Sequence, residues 1–196
     1  MICAVVPAAG RSQRMGKQKM LLPFRGSTVI AHIVDTLLSS AVERTYVVVG
    51  YRAEDIALAL SGRAVSIVTN SDFDAGMLSS VRSGLQALPR ECTGVLIALG
   101  DQPRIRKELV NDMAQAFLVS RRRIVVPVAG GQRGHPLLFS AEYRAEIAQC
   151  YGDVGLRGLL LAHPDDVFEL AASSDAVLSD MDDPEDYRRE REAFDA

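Results

Sequence analysis

The chain has 196 residues, 48% hydrophobic and 24% charged, which suits one well-cored domain and leaves little for a second core. No window approaches the ~18–20 apolar residues of a membrane helix, and the start lacks a basic region followed by a long apolar core, so a cytoplasmic chain without membrane anchor or secretion signal is expected. A formal net charge of −3 argues against general nucleic-acid binding, and the scattered Cys3, Cys92 and Cys150, without metal spacing, read as free thiols.

The first predicted element is the apolar run "ICAVVP" (2–7), which leads into "AAGRSQRMGKQKMLLP" (8–23). Further strands are expected at "TYVVVG" (45–50), "VSIVTN" (65–70), "GVLIALG" (94–100) and "RIVVPVA" (123–129), with amphipathic helices at 28–40, 53–61, 77–88 and 105–120. Apolar strands without polar alternation, separated by helices, predict a mainly parallel sheet covered on both faces. This is the α/β, Rossmann-like doubly wound class with right-handed crossovers.

After residue 130 the rhythm changes. "GGQRGHPLLFS" (130–140) is glycine-rich and then extended, and "AEYRAEIAQCY" (141–151) is helical. "GDVGLRGLLLAH" (152–163) comes next, then two short strand candidates, "DVFEL" (166–170) and "AVLSDMD" (176–182). Without a linker or internal repeat, residues 1–196 are expected to form a single domain, in which 131–196 elaborate the sheet built by 1–130 and complete one side of a cleft. The closing "DDPEDYRREREAFDA" mixes both charge signs and reads as a solvated helix.

The loop after the first strand concentrates Arg11, Arg14, Lys17 and Lys19 in an otherwise acidic chain. Five residues separate Gly10 from Gly16 and Gln18 follows Lys17, so the G-x-x-x-x-G-K-[ST] cradle and its magnesium-binding hydroxyl are absent. Ser12 and Gln13 break the dinucleotide fingerprint too. What remains is a loop at a strand's carboxyl end, with Ala8, Ala9 and Gly10 small enough for close backbone approach and basic side chains suited to oxyanions. A plain turn with solvated charges is the competing reading. Asp101 ends the apolar run 94–100, where doubly wound sheets bind ligands, or else caps a helix starting near Ile105. Asp180 and Asp182 would share one face of a strand, with helix capping a competing role for Asp182. Asp186 falls in the first turn of the last helix, where the dipole favours it.

"PAAGRSQRMGKQKMLLPFRG" resembles the signature of the MobA-like nucleotidyltransferases, x-A-A-G-x-S-x-R-M-G-x-x-K-x-L-L-P. "GMLSSVRSGL" (76–85), "LGDQP" (99–103), "RGHPLLF" (133–139), "GDVGLRGLL" (152–160) and "SDMDDPEDY" (179–187) continue the resemblance in order along nearly the whole chain. The likeness is greatest to the molybdenum cofactor cytidylyltransferases. It implies that residues 1–130 bind the nucleotide and 131–196 the acceptor. Ala8, Ala9, Gly10, Arg11 and Gly100 would cradle the nucleotide, Arg14 and Lys19 would neutralise its phosphates, and Asn70, Ser79 and Ser80 would lie near base or ribose. Lys19 and Arg14 with Asp101 would be catalytic, and Asp101, Asp180 and Asp182 would hold Mg2+, or Mn2+ in its place. Arg133, His135, Asp153 and Arg157 would receive a molybdopterin-type phosphorylated acceptor. His135 would position it, since a phosphate monoester is already largely ionised at neutral pH. Guanylyl-transferring relatives read "LAGG" where this chain reads "PAAG", so the Ala9 methyl implies a narrower base pocket and CTP as donor. Another NTP, a sugar phosphate acceptor, and a non-catalytic module delivering cofactor to a molybdoenzyme or its chaperone are the alternatives.

Overall fold

The computed structural model describes residues 1–152 and 154–195. β1 (Ile2–Pro7) feeds the long basic loop, and a short hairpin of β2 (Pro23–Phe24) and β3 (Ser27–Thr28) leads into α1 (Val29–Leu38). The Thr28 hydroxyl caps that helix by accepting from Ala31 N at 3.3 Å. β4 (Arg44–Val49), α2 (Ala53–Ala59), β5 (Val65–Thr69), α3 (Met77–Ala87), β6 (Gly94–Ile97), α4 (Lys107–Val119) and β7 (Ile124–Ala129) continue in the expected alternation.

The later part contributes β8 (Gln132–Arg133), β9 (Leu137–Ser140), α5 (Arg144–Gln149), α6 (Arg157–Ala162), β10 (Val167–Ala171) and α7 (Pro184–Asp195). Along the sheet the order is β10-β7-β9-β6-β1-β4-β5, with β8 added to β7. β5, β4, β1 and β6 pair in parallel, as do β10 and β7. β9 is antiparallel to both of its neighbours, with Ile97 opposite Leu137 and Ile124 opposite Phe139. The expected mainly parallel, helix-covered sheet is therefore present, with one reversed strand wedged into it.

Alternation along β1 explains the two cores. Ile2, Ala4 and Val6 join the layer holding α1 and α4, through Ile30, Val34 and Met113. Cys3 and Val5 join the opposite layer with Val81, Leu85, Ile147 and Leu159 from α3, α5 and α6. Burial on both faces removes the polar alternation that a half-exposed strand would show.

Two expectations change. Residues 176–182 are not a strand: Asp175–Leu178 form a short 3-10 turn, because the Ser174 hydroxyl accepts from Ala176 N at 3.1 Å and tightens the backbone. The last helix is not wholly solvated either, since Glu190 is fully buried. Among the described residues no helix is long and apolar enough to cross a membrane.

Candidate active site

The parallel strands β1, β4, β5 and β6 deliver their carboxyl ends to one edge of the sheet, where such folds take ligands. The basic loop is pinned there by Ala8 N donating to Val48 O at 2.8 Å and Tyr51 N donating to Ala9 O at 2.9 Å. Ala9 is only 2% exposed, so its methyl sets the loop's seat and is not an open wall.

Gln18 organises the rest of the loop. Its amide donates to Gly10 O (3.0 Å) and Tyr51 O (3.3 Å), and its carbonyl accepts from the Ser12 hydroxyl at 2.8 Å. Ser12 in turn accepts from Lys19 N at 3.2 Å. The motif pattern marks Gln18 only as a missing hydroxyl. Its near-complete burial, at 4% exposure, makes it the internal brace of the loop. Gly100 lets that loop close over the end of β6: a Cβ there would stand 3.0 Å from Pro7 O and 2.9 Å from Met20 Sδ.

The brace aims Lys19 at the acidic side chains. Lys19 Nζ lies 2.5 Å from Asp101 Oδ2 and 3.2 Å from Asp182 Oδ1, and Arg14 Nη2 lies 2.8 Å from Asp182 Oδ2. A hollow of about 360 Å³ is lined by Gly10, Arg14, Lys19, Met20, Phe73 and Asp182, among others. Asp101 does not cap α4, which begins behind Arg106. Asp182 does not cap α7 either. Asp183 does so, accepting from Glu185 N (2.8 Å) and Asp186 N (2.9 Å), while Asp186 reaches back to Asp182 N at 3.0 Å. The Asp182 carboxylate is thereby left to face Lys19 and Arg14.

Asp180 accepts from Gln102 Nε2 at 2.7 Å, and Met181 N donates to Asp101 O at 3.1 Å. Partial burial, then the Asp101 and Asp182 charges, raise the Asp180 carboxyl above its ordinary range against the opposing pull of Gln102 and His135. Burial lowers the His135 imidazole, with Asp180 and Asp101 pulling the other way. Arg104 holds the segment in place: it donates to Glu190 (2.9 Å), Asp175 (3.2 Å) and Ser179 (2.8 Å). Neither Gln102 nor Arg104 carries a local signal of these roles, which depend on contacts more than seventy residues away.

The remaining expected residues are spread around this centre. Arg11 is engaged by Asp74 at 2.8 and 2.7 Å, and its guanidinium lies 5.3 and 5.1 Å from the ring centres of Tyr51 and Phe73. Asn70 Nδ2 donates to the Ser79 and Ser80 hydroxyls at 2.8 and 3.0 Å, so these three brace the turn between β5 and α3. A separate cleft of about 660 Å³ gathers Arg133, His135 and Arg157 with Leu137, Leu156 and Leu160. Arg133 donates to Glu169 at 2.8 Å, and His135 N donates to Val177 O at 2.9 Å. Asp153 lies outside the described residues.

The family model for the MobA-like NTP transferase domain matches residues 4–167, most of this chain. The chain belongs to that family. It is a MobA-like nucleotidyltransferase. "Molybdenum cofactor cytidylyltransferase" of Escherichia coli (strain K12) is 25% identical over 98% of this chain and 97% of its own length. "Nicotine blue oxidoreductase" of Paenarthrobacter nicotinovorans is 30% identical over 96% and 95%. Among solved structures, Rv0371c from Mycobacterium tuberculosis H37Rv superposes with a TM-score of 0.88 at 30% identity, over 97% of both chains. Its complex with manganese superposes with a TM-score of 0.83, over 98% of both chains. Relatives with such different names put the weight of any substrate argument on the site itself.

In this MobA-like chain no three Asp, Glu, His or Cys side chains among the described residues close into a ready-made metal cage. The donor chemistry still fits a hard divalent cation, which takes one or two carboxylates and completes its shell with phosphate oxygens and water. Asp101 and Asp182 face Lys19 and Arg14, and Asp180, held by Gln102, lies close enough for their charges to raise its carboxyl.

Proposed function

We propose that the chain transfers a cytidylyl group from CTP to the phosphate of a molybdopterin-type acceptor and releases pyrophosphate, with Mg2+ as the metal and Mn2+ able to replace it. The observation that carries this reading is the meeting of Lys19 with Asp101 and Asp182 beside the glycine loop. The nearness of that centre to His135, on the edge of the cationic cleft, supports it. The name of the E. coli relative supports the choice of nucleotide and acceptor.

In this reading Gly10 backbone, Arg14 and Lys19 hold the triphosphate, and Asp101 with Asp180 or Asp182 would hold the metal. When bound, the metal supplies charge neutralisation at the α-phosphate. An acceptor phosphate oxygen bonds to the α-phosphorus as the bond to the bridging oxygen of pyrophosphate breaks. Lys19 stabilises the charge that develops on the transferring group. Arg133 and Arg157 pair with the acceptor, its apolar body lies against Leu156 and Leu160, and His135 orients it. We read residues 1–196 as one cytoplasmic domain whose product passes to a molybdoenzyme or its chaperone.

Pyrophosphate release with each NTP, Mg2+ and either molybdenum cofactor or a sugar phosphate tests the reading. CTP with molybdenum cofactor is expected to give turnover. Turnover only with another pair overturns the substrate assignment, and none with any pair overturns the transfer reaction for these substrates.

A further inference from the structure

Lys19 is the counterion of Asp101 and Asp182, and Arg14 is bound to the second oxygen of Asp182. The cations that a triphosphate requires are therefore engaged by the carboxylates that a metal requires. We propose that this shared pairing makes the site a mutual lock: metal alone and triphosphate alone each bind weakly, and each releases the groups that the other uses. The lock rests on the proposed nucleotide binding and adds a coupling between the two ligands.

Charge balance sets the sign of the coupling. A divalent cation arriving alone must take Asp101 and Asp182 from Lys19, and leaves Lys19 and Arg14 facing it without partners. A triphosphate arriving alone must take Lys19 and Arg14, and leaves carboxylates facing its own charge. Arriving together, the two ligands exchange partners with the protein and no charge is stranded. The Lys19 and Asp101 side chains are only 13% and 18% exposed, so solvent screens the pair weakly.

The exchange is also mechanically simple. The Lys19 backbone is held by Ser12, and Gln18 fixes the loop around it. The four-carbon stem of lysine lets its ammonium pivot without moving the chain. The lock therefore opens through a side-chain swing and asks no loop to move.

Deleting one partner should strengthen the binding of the other partner's ligand, whereas ordinary loss of machinery only weakens binding. Mn2+ binding to the full chain is measured by the electron spin resonance of free Mn2+, and CTP binding in excess EDTA by calorimetry. Lys19→Met is expected to bind Mn2+ alone about tenfold more tightly than wild type, within the usual span of coupling between sites. Asp182→Asn is expected to bind metal-free CTP about tenfold more tightly, on the same grounds. A folded variant whose affinity is unchanged or lower overturns the lock. If Lys19→Met does not fold, as judged by circular dichroism and melting, Asp182→Asn decides alone. If wild type binds GTP and not CTP, the nucleotide reading fails and GTP replaces CTP in the second arm. If it binds neither, the Mn2+ arm alone decides the lock.

Discussion

Asp180 is the carboxylate with the least electrostatic support at this site. It has the Gln102 amide, while burial and two neighbouring carboxylates oppose its charge. A raised carboxyl binds its proton more tightly folded than unfolded, so the folded state loses stability as pH rises through that raised value. Asp180→Asn should therefore raise the Tm at pH 7 by about 1–3 °C, a shift worth under ~1 kcal/mol in a chain of this size because solvent still reaches the group. The gain should shrink as the pH is lowered and wild-type Asp180 takes up its proton. Melting curves of both proteins across pH check this, and a gain that grows on acidification would contradict it. Under the proposed function the same variant should also lower metal-dependent turnover, since it removes a carboxylate that would help to hold the metal. The meeting of Lys19 with Asp101 and Asp182 joins residues that the sequence singles out through the family resemblance and, for Asp101, through its place after an apolar run. Gln18 and Gln102 are not singled out in this way, because a buried amide looks like any other until its partners are known.

The element that most depends on distant contacts is the segment from Asp175 to Asp183. Its apolar "AVL" suggests a strand, yet the Ser174 cap with the Arg104 contacts draws it into a turn. Arg104 is 16% exposed and its partner Glu190 is fully buried. Removing one member of such a pair strands the other, at a cost of ~3 kcal/mol or more. Arg104→Met should destabilise by about that much in urea, and the double variant with Glu190→Leu should recover most of the loss. A double variant no more stable than Arg104→Met would show that Glu190 is not the source of the cost. The main-sheet strands and the α-helices up to residue 129 are readable because their apolar runs and periodicities are local, whereas the two-residue strands β2 and β3 are too short to leave a pattern. β9 is readable as extended but not as antiparallel: "LLFS" says nothing of direction, which is settled by pairing with β6 and β7.

At the scale of the whole molecule, the site joins a loop near the start of the chain to carboxylates near its end. CTP with Mg2+ should therefore stabilise the entire fold. At a free concentration of about 100 times Kd the gain is ~2.7 kcal/mol, or roughly 5–10 °C in Tm. A melting titration checks it, and a Tm that ignores the ligand would remove the nucleotide from this crevice.

The reversed strand has its own consequence. β9 is four residues long and joins two blocks of parallel strands, one carrying Lys19 and Asp101 at its edge and the other carrying Arg133. It is a weld line between two planks, and a small twist along it would alter the gap between the Lys19–Asp101 centre and the Arg133 cleft while both planks stay intact. The segment from Asp175 to Asp183 spans that line, tied to His135 N through Val177 O and to Asp101 O through Met181 N. Any change in that gap would bear on those two backbone hydrogen bonds, so their amide protons can serve as gauges of it.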